Sequence, residues 1–229
     1  MQNLIQFETV IRELTRPVNN QYPRPFTCDF KNPLSAKGLI LGYNQARTYS
    51  TDLLSHQEFL DYHFGRSGTS RELYGRLSPE PSKTRVNIEN MVRYLDQPIL
   101  ESDVYCFSSR KASELSSEGK VIGARISQAV IAGLCPKFIL VFSANSQKAF
   151  PKELRAVKAI VSEQTLPPQG KLSISKLVLN RKALNTNYEG NFETTVIYMP
   201  SLSLPEWNKW KSESLVVFAQ IATILKEFI

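Results

Sequence analysis

The segment Gly38-Leu39-Ile40-Leu41-Gly42-Tyr43-Asn44-Gln45 constrains the fold more than any other part of the 229-residue chain. Its short apolar run closes on a glycine, and polar side chains follow at once. Such a run, bounded by turn signals, is the pattern of a strand buried on both faces. Its carboxyl end would deliver Asn44 to the place where ligands bind in open α/β sheets. A second strand ends the same way, at Thr195-Val196-Ile197-Tyr198-Met199-Pro200-Ser201. Asp103-Val104-Tyr105-Cys106-Phe107 and Phe138-Ile139-Leu140-Val141-Phe142 read as two further strands. Polar loops follow both, Ser108-Ser109-Arg110-Lys111 and Ser143-Ala144-Asn145-Ser146.

Helical spacing fills the intervals. Leu4, Phe7, Val10, Ile11 and Leu14 share one face, and Pro17 stops that helix. Ile88, Met91, Val92 and Leu95 share another, over 86–95, with Ser82 or Thr84 as its cap. Ile126, Val130, Ile131 and Leu134 predict a helix over 123–134, ended by Pro136. Leu154, Val157, Ile160 and Val161 predict one over 152–162, and 214–228 closes the chain as a helix. The partial alternation of 171–179 suggests an edge strand, and Leu166-Pro167-Pro168-Gln169-Gly170 a surface turn. Residues 43–82 are least regular, with one short helix over 58–64. Strands alternating with helices predict an α/β protein with helices on both faces of the sheet. No repeat or composition shift divides it, so a single domain over 1–229 is expected, with 1–33 an N-terminal helix and irregular connection.

The chain carries 28 Lys and Arg against 21 Asp and Glu, a net charge of +7. That excess favours phosphates or an anionic surface as partner. No apolar run approaches the ~18–20 residues of a membrane span. The first thirteen residues are amphipathic and include Glu8 and Glu13, unlike a secretory leader. Cys28, Cys106 and Cys135 are far apart, which fits packing residues in a reducing cytoplasm. Neither a Walker A nor a G-x-G-x-x-G sequence occurs. His56 and His63 stand seven apart with no Cys or third His near them, a poor metal set. No G-x-S-x-G surrounds Ser201. A denser signal is the mixture of Arg47, Tyr49, Arg66, Arg71, Tyr74, Arg76, Lys83 and Arg85 after the first strand. Proteins hold single strands and flipped bases with such stacking and phosphate-binding groups.

In order and spacing the pattern over 34–229 resembles the uracil-DNA glycosylase superfamily. Gly42-Tyr43-Asn44-Gln45 is similar to its first motif: a glycine, any residue, Asp or Asn, then usually proline. Ser102-Asp103-Val104-Tyr105 is similar to its second strand, and Pro136-Lys137-Phe138-Ile139-Leu140-Val141 to its helix–proline–strand segment. Met199-Pro200-Ser201-Leu202-Ser203 is similar to its last motif, usually His-Pro-Ser or Asn-Pro-Ser.

The resemblance implies a three-layer α/β/α sandwich around a central, mainly parallel four-stranded sheet. It also implies a monomer that binds single- or double-stranded DNA. Such enzymes extrude a damaged or deaminated base and hydrolyse its N-glycosidic bond without metal or cofactor. Asn44 would then position water, and Asp103 would contact base or sugar. Tyr43 or Tyr49 would stack on the base, with Met199 facing it. Lys83, Arg85, Arg110, Ser143, Pro200 and Ser201 would hold the strand, largely through phosphates. Two departures matter. Gln45 replaces the usual proline. Met199 replaces a polar residue, and methionine cannot donate a hydrogen bond to a leaving base; loss of such a donor typically costs about 10²–10³ in rate. The alternatives are a catalytically silent nucleic-acid-binding or protein-interaction module on the same fold, or an unrelated α/β enzyme.

Overall fold

The computed structural model describes residues 3–228. Helix α1 (Leu4–Leu14) starts where Asn3 accepts hydrogen bonds from the amides of Ile5 and Gln6. A two-residue strand β1 (Gln21–Tyr22) pairs antiparallel with β3 (Tyr49–Ser50). Strand β2 (Gly38–Gln45) lies between them in sequence. Three helices follow: α2 (His56–His63), α3 (Ser70–Leu77) and α4 (Lys83–Leu95). Then come β4 (Ile99–Ser108), α5 (Ser117–Leu134), β5 (Phe138–Phe142) and α6 (Ala144–Ala156). The hairpin β6 (Ile160–Gln169) and β7 (Leu172–Asn180) leads through α7 (Arg181–Leu184) to β8 (Asn191–Met199). Helices α8 (Glu206–Trp210) and α9 (Ser214–Phe228) close the chain.

The main sheet has six strands in the order β4-β2-β5-β8-β7-β6. The first four run parallel, and β7 and β6 add an antiparallel extension beyond β8. The expected four-stranded sheet is therefore six-stranded. The strand expected over 171–179 is interior, paired on both sides, and the edge belongs to β6. The helix expected over 152–162 ends at Ala156, and Ile160 and Val161 open β6.

Alternation along the strands builds two cores. Leu39, Leu41, Ile139, Val141 and Val196 face a core shared with α1, α5 and α6. Ile40, Phe138, Leu140, Phe142 and Ile197 face a second core, shared with α4 and α9. Helices thus cover both faces, which explains why the parallel strands read as continuous apolar runs. In β2 the glycine at 38 is required by packing. The Phe138 ring occupies the space a side chain would need.

Candidate functional site

A cleft of about 650 Å³ opens at the carboxyl ends of the parallel strands, above the α4/α9 layer. Register explains its position. Ile40 pairs with Glu101 and Gly42 with Asp103, so the two carboxylates of the edge strand β4 flank the apolar positions of β2. Beyond Ile40, the missing side chain of Gly42 leaves room for the Asp103 carboxylate; a methyl there would run into Asp103 Oδ1.

Asn44, Tyr43 and Gln45 supply the rim from β2. The Asn44 Nδ2 group donates to Ser109 Oγ at 2.8 Å and to the carbonyls of Gln45 and Ser109. Its amide is oriented by these bonds, with Oδ1 as the remaining acceptor. Tyr43 meets Tyr105 edge-on at 5.2 Å. Ser143 follows β5 with φ of +80°, a region that favours glycine, and its side chain caps α6 through the Ser146 amide. Ser201 and Ser203 follow β8. Their loop is tied down: Asn87 donates to the Leu202 carbonyl at 2.8 Å, and Trp210 Nε1 to the Ser201 carbonyl at 3.0 Å.

The deep wall is charged. Glu101 pairs with both Arg85 of α4 and Arg71 of α3. Burial works to raise its pKa, but the two guanidiniums outweigh burial and hold it below the usual carboxylate range. Asp103 is poorer in partners. Its nearest cation is Arg24, with Nη2 3.7 Å from Oδ2. Burial lifts the Asp103 pKa to about 6, against the opposing pull of Arg24 and Arg85. Near neutral pH this carboxyl is therefore mostly ionised, yet close to its titration point. A carboxylate so placed can take a proton from a reacting group.

Of the sequence-predicted residues, Tyr43, Asn44, Arg85, Asp103, Ser143 and Ser201 line this one cleft. Two do not face it. Tyr49 is 1% exposed and sits in the core beneath Arg24, so it cannot stack on an incoming base. Met199 is 0% exposed; the alternation of β8 turns it into the α4/α9 core. Its carbonyl, not its side chain, is engaged, accepting from Gln147 Nε2 at 2.7 Å. Lys83 and Arg110 are exposed, and Pro200 half-buried; none of the three lines the cleft.

Two wall residues, Arg24 and Glu101, carry no signal in the sequence; a third, Tyr74, belongs to its basic and aromatic mixture. Arg24 lies in the proline-rich connection before β2, where no periodicity orients a side chain. Both histidines have structural places. His63 is buried against Phe59, with ring centroids 4.1 Å apart, and burial lowers its pKa to about 4. His56 stacks on Tyr22. Among the described residues no group of three or more His, Cys, Asp or Glu is placed to hold a metal ion, and no helix is long and apolar enough to cross a membrane. No protein-family model matches the chain, and no curated protein matches it.

Proposed function

We propose that this protein is a DNA-binding hydrolase of the uracil-DNA glycosylase type, which receives one extruded nucleotide in the cleft and hydrolyses its N-glycosidic bond. One observation carries the reading. Asn44 near the end of β2, Asp103 within β4, and Ser143 and Ser201 beyond the ends of β5 and β8 all line the same cleft with Arg85. In the reaction, the Asn44 amide oxygen orients a water molecule. Asp103 takes that water's proton as its oxygen attacks the sugar C1′. The C1′–N bond breaks and its electron pair leaves with the base. Tyr43 offers the stacking face. Ser143, Ser201 and Arg85 hold flanking phosphates, aided by the amino-terminal ends of α4 and α6.

A binding-only role on the same fold is the second reading, and the burial of Met199 favours it. That position offers no donor to stabilise charge on the leaving base. Labelled single- and double-stranded oligonucleotides carrying uracil, mispaired uracil, hypoxanthine or xanthine decide between the two, with alkali to reveal abasic sites. Cleavage by the parent, lost in Asp103→Asn and reduced in Asn44→Ala, establishes the hydrolase. Binding without cleavage of any substrate replaces it with the second reading.

A further inference from the structure

The deep wall of the cleft leaves guanidinium donors without acceptors, although its charges are paired. Three guanidiniums, Arg24, Arg71 and Arg85, meet two carboxylates, Glu101 and Asp103. Glu89 reaches Arg71 at 3.6 Å from the solvent side. Arg71 and Arg85 share Glu101, and the carboxylate nearest Arg24 is Asp103, 3.7 Å away, with the Tyr49 and Tyr74 rings beside its guanidinium. Arg85 is 8% exposed, and its Nε has no hydrogen-bond partner; the same holds for the buried Nη1 of Arg24. Both residues line the cleft. A buried guanidinium with unmet donors is costly unless something supplies acceptors.

The placement of Arg24 is specifically built. Gln45 is 2% exposed and grips the main chain of Arg24 at both ends: its Oε1 accepts from the Arg24 amide at 3.2 Å, and its Nε2 donates to the Arg24 carbonyl. Next along the chain, Ser102 Oγ donates to the Pro25 carbonyl at 2.6 Å. Thr27 and Glu101 exchange backbone hydrogen bonds at 2.7 and 2.9 Å. The connection before β2 is thus fastened along the outer edge of β4. Arg24 and Arg85 then converge on one ring, with guanidinium carbons 5.2 and 5.1 Å from the Tyr74 centroid. Helix α4 begins beside them, and its N-cap Ser82 and first-turn Thr84 also line the cleft.

We propose that Arg24 and Arg85, gathered around Tyr74 at the deep wall, form a subsite for a phosphoryl group, with Gln45 as the residue that positions Arg24. A tetrahedral oxyanion offers the acceptors these donors lack, and guanidinium forks suit it better than lysine does. The start of α4 adds amide donors and a positive dipole end. This rests on the nucleic-acid reading above only for the origin of the phosphoryl group; no bond need be cleaved for the subsite to fill.

The test uses the full chain, titrated with inorganic phosphate and with sulfate at constant ionic strength, and followed by calorimetry and thermal unfolding. Saturable binding is expected. It should weaken about tenfold or more in Arg24→Gln and in Arg85→Gln, and less in Gln45→Leu. Lys152→Gln, on the exposed part of α6, should bind as the parent does. If Arg24→Gln does not fold by circular dichroism, Arg24→Lys keeps the charge and loses the fork, and should still weaken binding. Single-stranded oligonucleotides with a 5′-phosphate or a 5′-hydroxyl then separate the sources. A preference for the phosphorylated end marks a terminal phosphomonoester, and equal affinities that compete with sulfate mark a backbone phosphodiester. No saturable anion binding by the folded parent overturns the subsite, as does equal binding by folded Arg24 and Arg85 variants. Cleavage without anion binding would sink the subsite alone; anion binding without cleavage would sink the hydrolase reading alone.

Discussion

The two faces of the central sheet solve the same packing problem differently. On the α1/α5/α6 face the strands meet apolar helices along their whole length. Helix α5 comes so close to β4 that a methyl on Gly123 would stand 2.6 Å from the Cys106 amide nitrogen and 2.8 Å from the Tyr105 carbonyl carbon. On the α4/α9 face the middle is equally apolar, with Ile40, Leu140 and Ile197. At the β4 edge, however, Glu101 stands beside Ile40 and Asp103 beside Gly42, and α4 answers with Arg85. One face closes completely. The other stops closing where charges must be kept apart, paired and accessible. The difference teaches where function can sit: a filled layer has no room for a ligand, and a charged gap is maintained by groups that need partners.

The largest expected effect tests whether charge holds that gap. Glu101→Gln leaves Arg71 and Arg85 without their shared counter-ion in a buried place. Removing one member of such a network costs about 3–5 kcal/mol. Urea unfolding of the variant measures it. A loss under about 1 kcal/mol would mean that the charged face is held by its apolar neighbours, and the contrast between the faces would collapse.

Asp103 sharpens the same contrast through pH. Its pKa is about 6 in the folded protein, against an ordinary 3.8. The folded state therefore holds the proton more tightly than the unfolded state. The stabilisation is complete below the unfolded value and is lost as pH rises through 6. By pH 7 the ionised side chain costs up to ~3 kcal/mol, from a gap of about two pK units. Asp103→Asn removes this titration. Its stability relative to the parent should therefore improve between pH 4 and pH 7, measured by denaturant melts at each pH. A difference constant across that range would show that the carboxyl does not feel the wall as described. Cleavage, if general-base catalysis by Asp103 drives it, should rise with pH through about 6 for the same reason.

Gly123→Ala probes the opposite face and comes next in size. The atoms a methyl would meet there belong to the backbone of β4, which cannot step aside. Overpacking of this kind costs about 1–3 kcal/mol. The thermal midpoint should fall while the affinity for phosphate and oligonucleotides stays at the parent value. A change in affinity with unchanged stability would reverse the assignment of the two faces.

How much of this was legible in the sequence follows the same division. Buried strands announce themselves: β2 and β5 are apolar runs closed by Gly42 and by Ser143, and α1 and α9 carry their periodicity end to end. The start of β6 reads as helix because Ile160 and Val161 continue a helical spacing, and its end, 166–169, reads as a turn because of Pro167 and Pro168; its mostly exposed positions carry no alternation, and pairing with β7 decides it. Helix α3 was missed although its capping box, Thr69 with Glu72, stands in the sequence; few apolar residues follow to give it a period. Asn44 and Ser201 are legible as cleft residues because one lies near the end of β2 and the other just beyond β8. Met199 was misplaced because alternation along β8 turns it into the core, while the motif placed it by order alone. Arg24 was invisible, since only Gln45 and the edge of β4 give its segment a position.

The smallest expected effect on stability is the most direct comparison of the faces. Gly42→Ala adds the same methyl as Gly123→Ala, on the other side of the sheet. The first atom it meets is Asp103 Oδ1, the far end of a side chain, and the next is Phe142 Cζ at 3.2 Å. A carboxylate bordering a cleft can rotate; a strand backbone cannot. The lost unfolded-state freedom of glycine offsets part of the crowding. The thermal midpoint should thus move by the equivalent of less than ~1 kcal/mol. The displaced carboxylate, however, leaves the position from which it would activate water. Cleavage of the best oligonucleotide substrate should fall at least tenfold while the fold is retained. A Gly42→Ala variant that unfolds as readily as Gly123→Ala would mean that the carboxyl end of β2 is packed as tightly as α5 against β4, and the cleft would then be no roomier than the closed face.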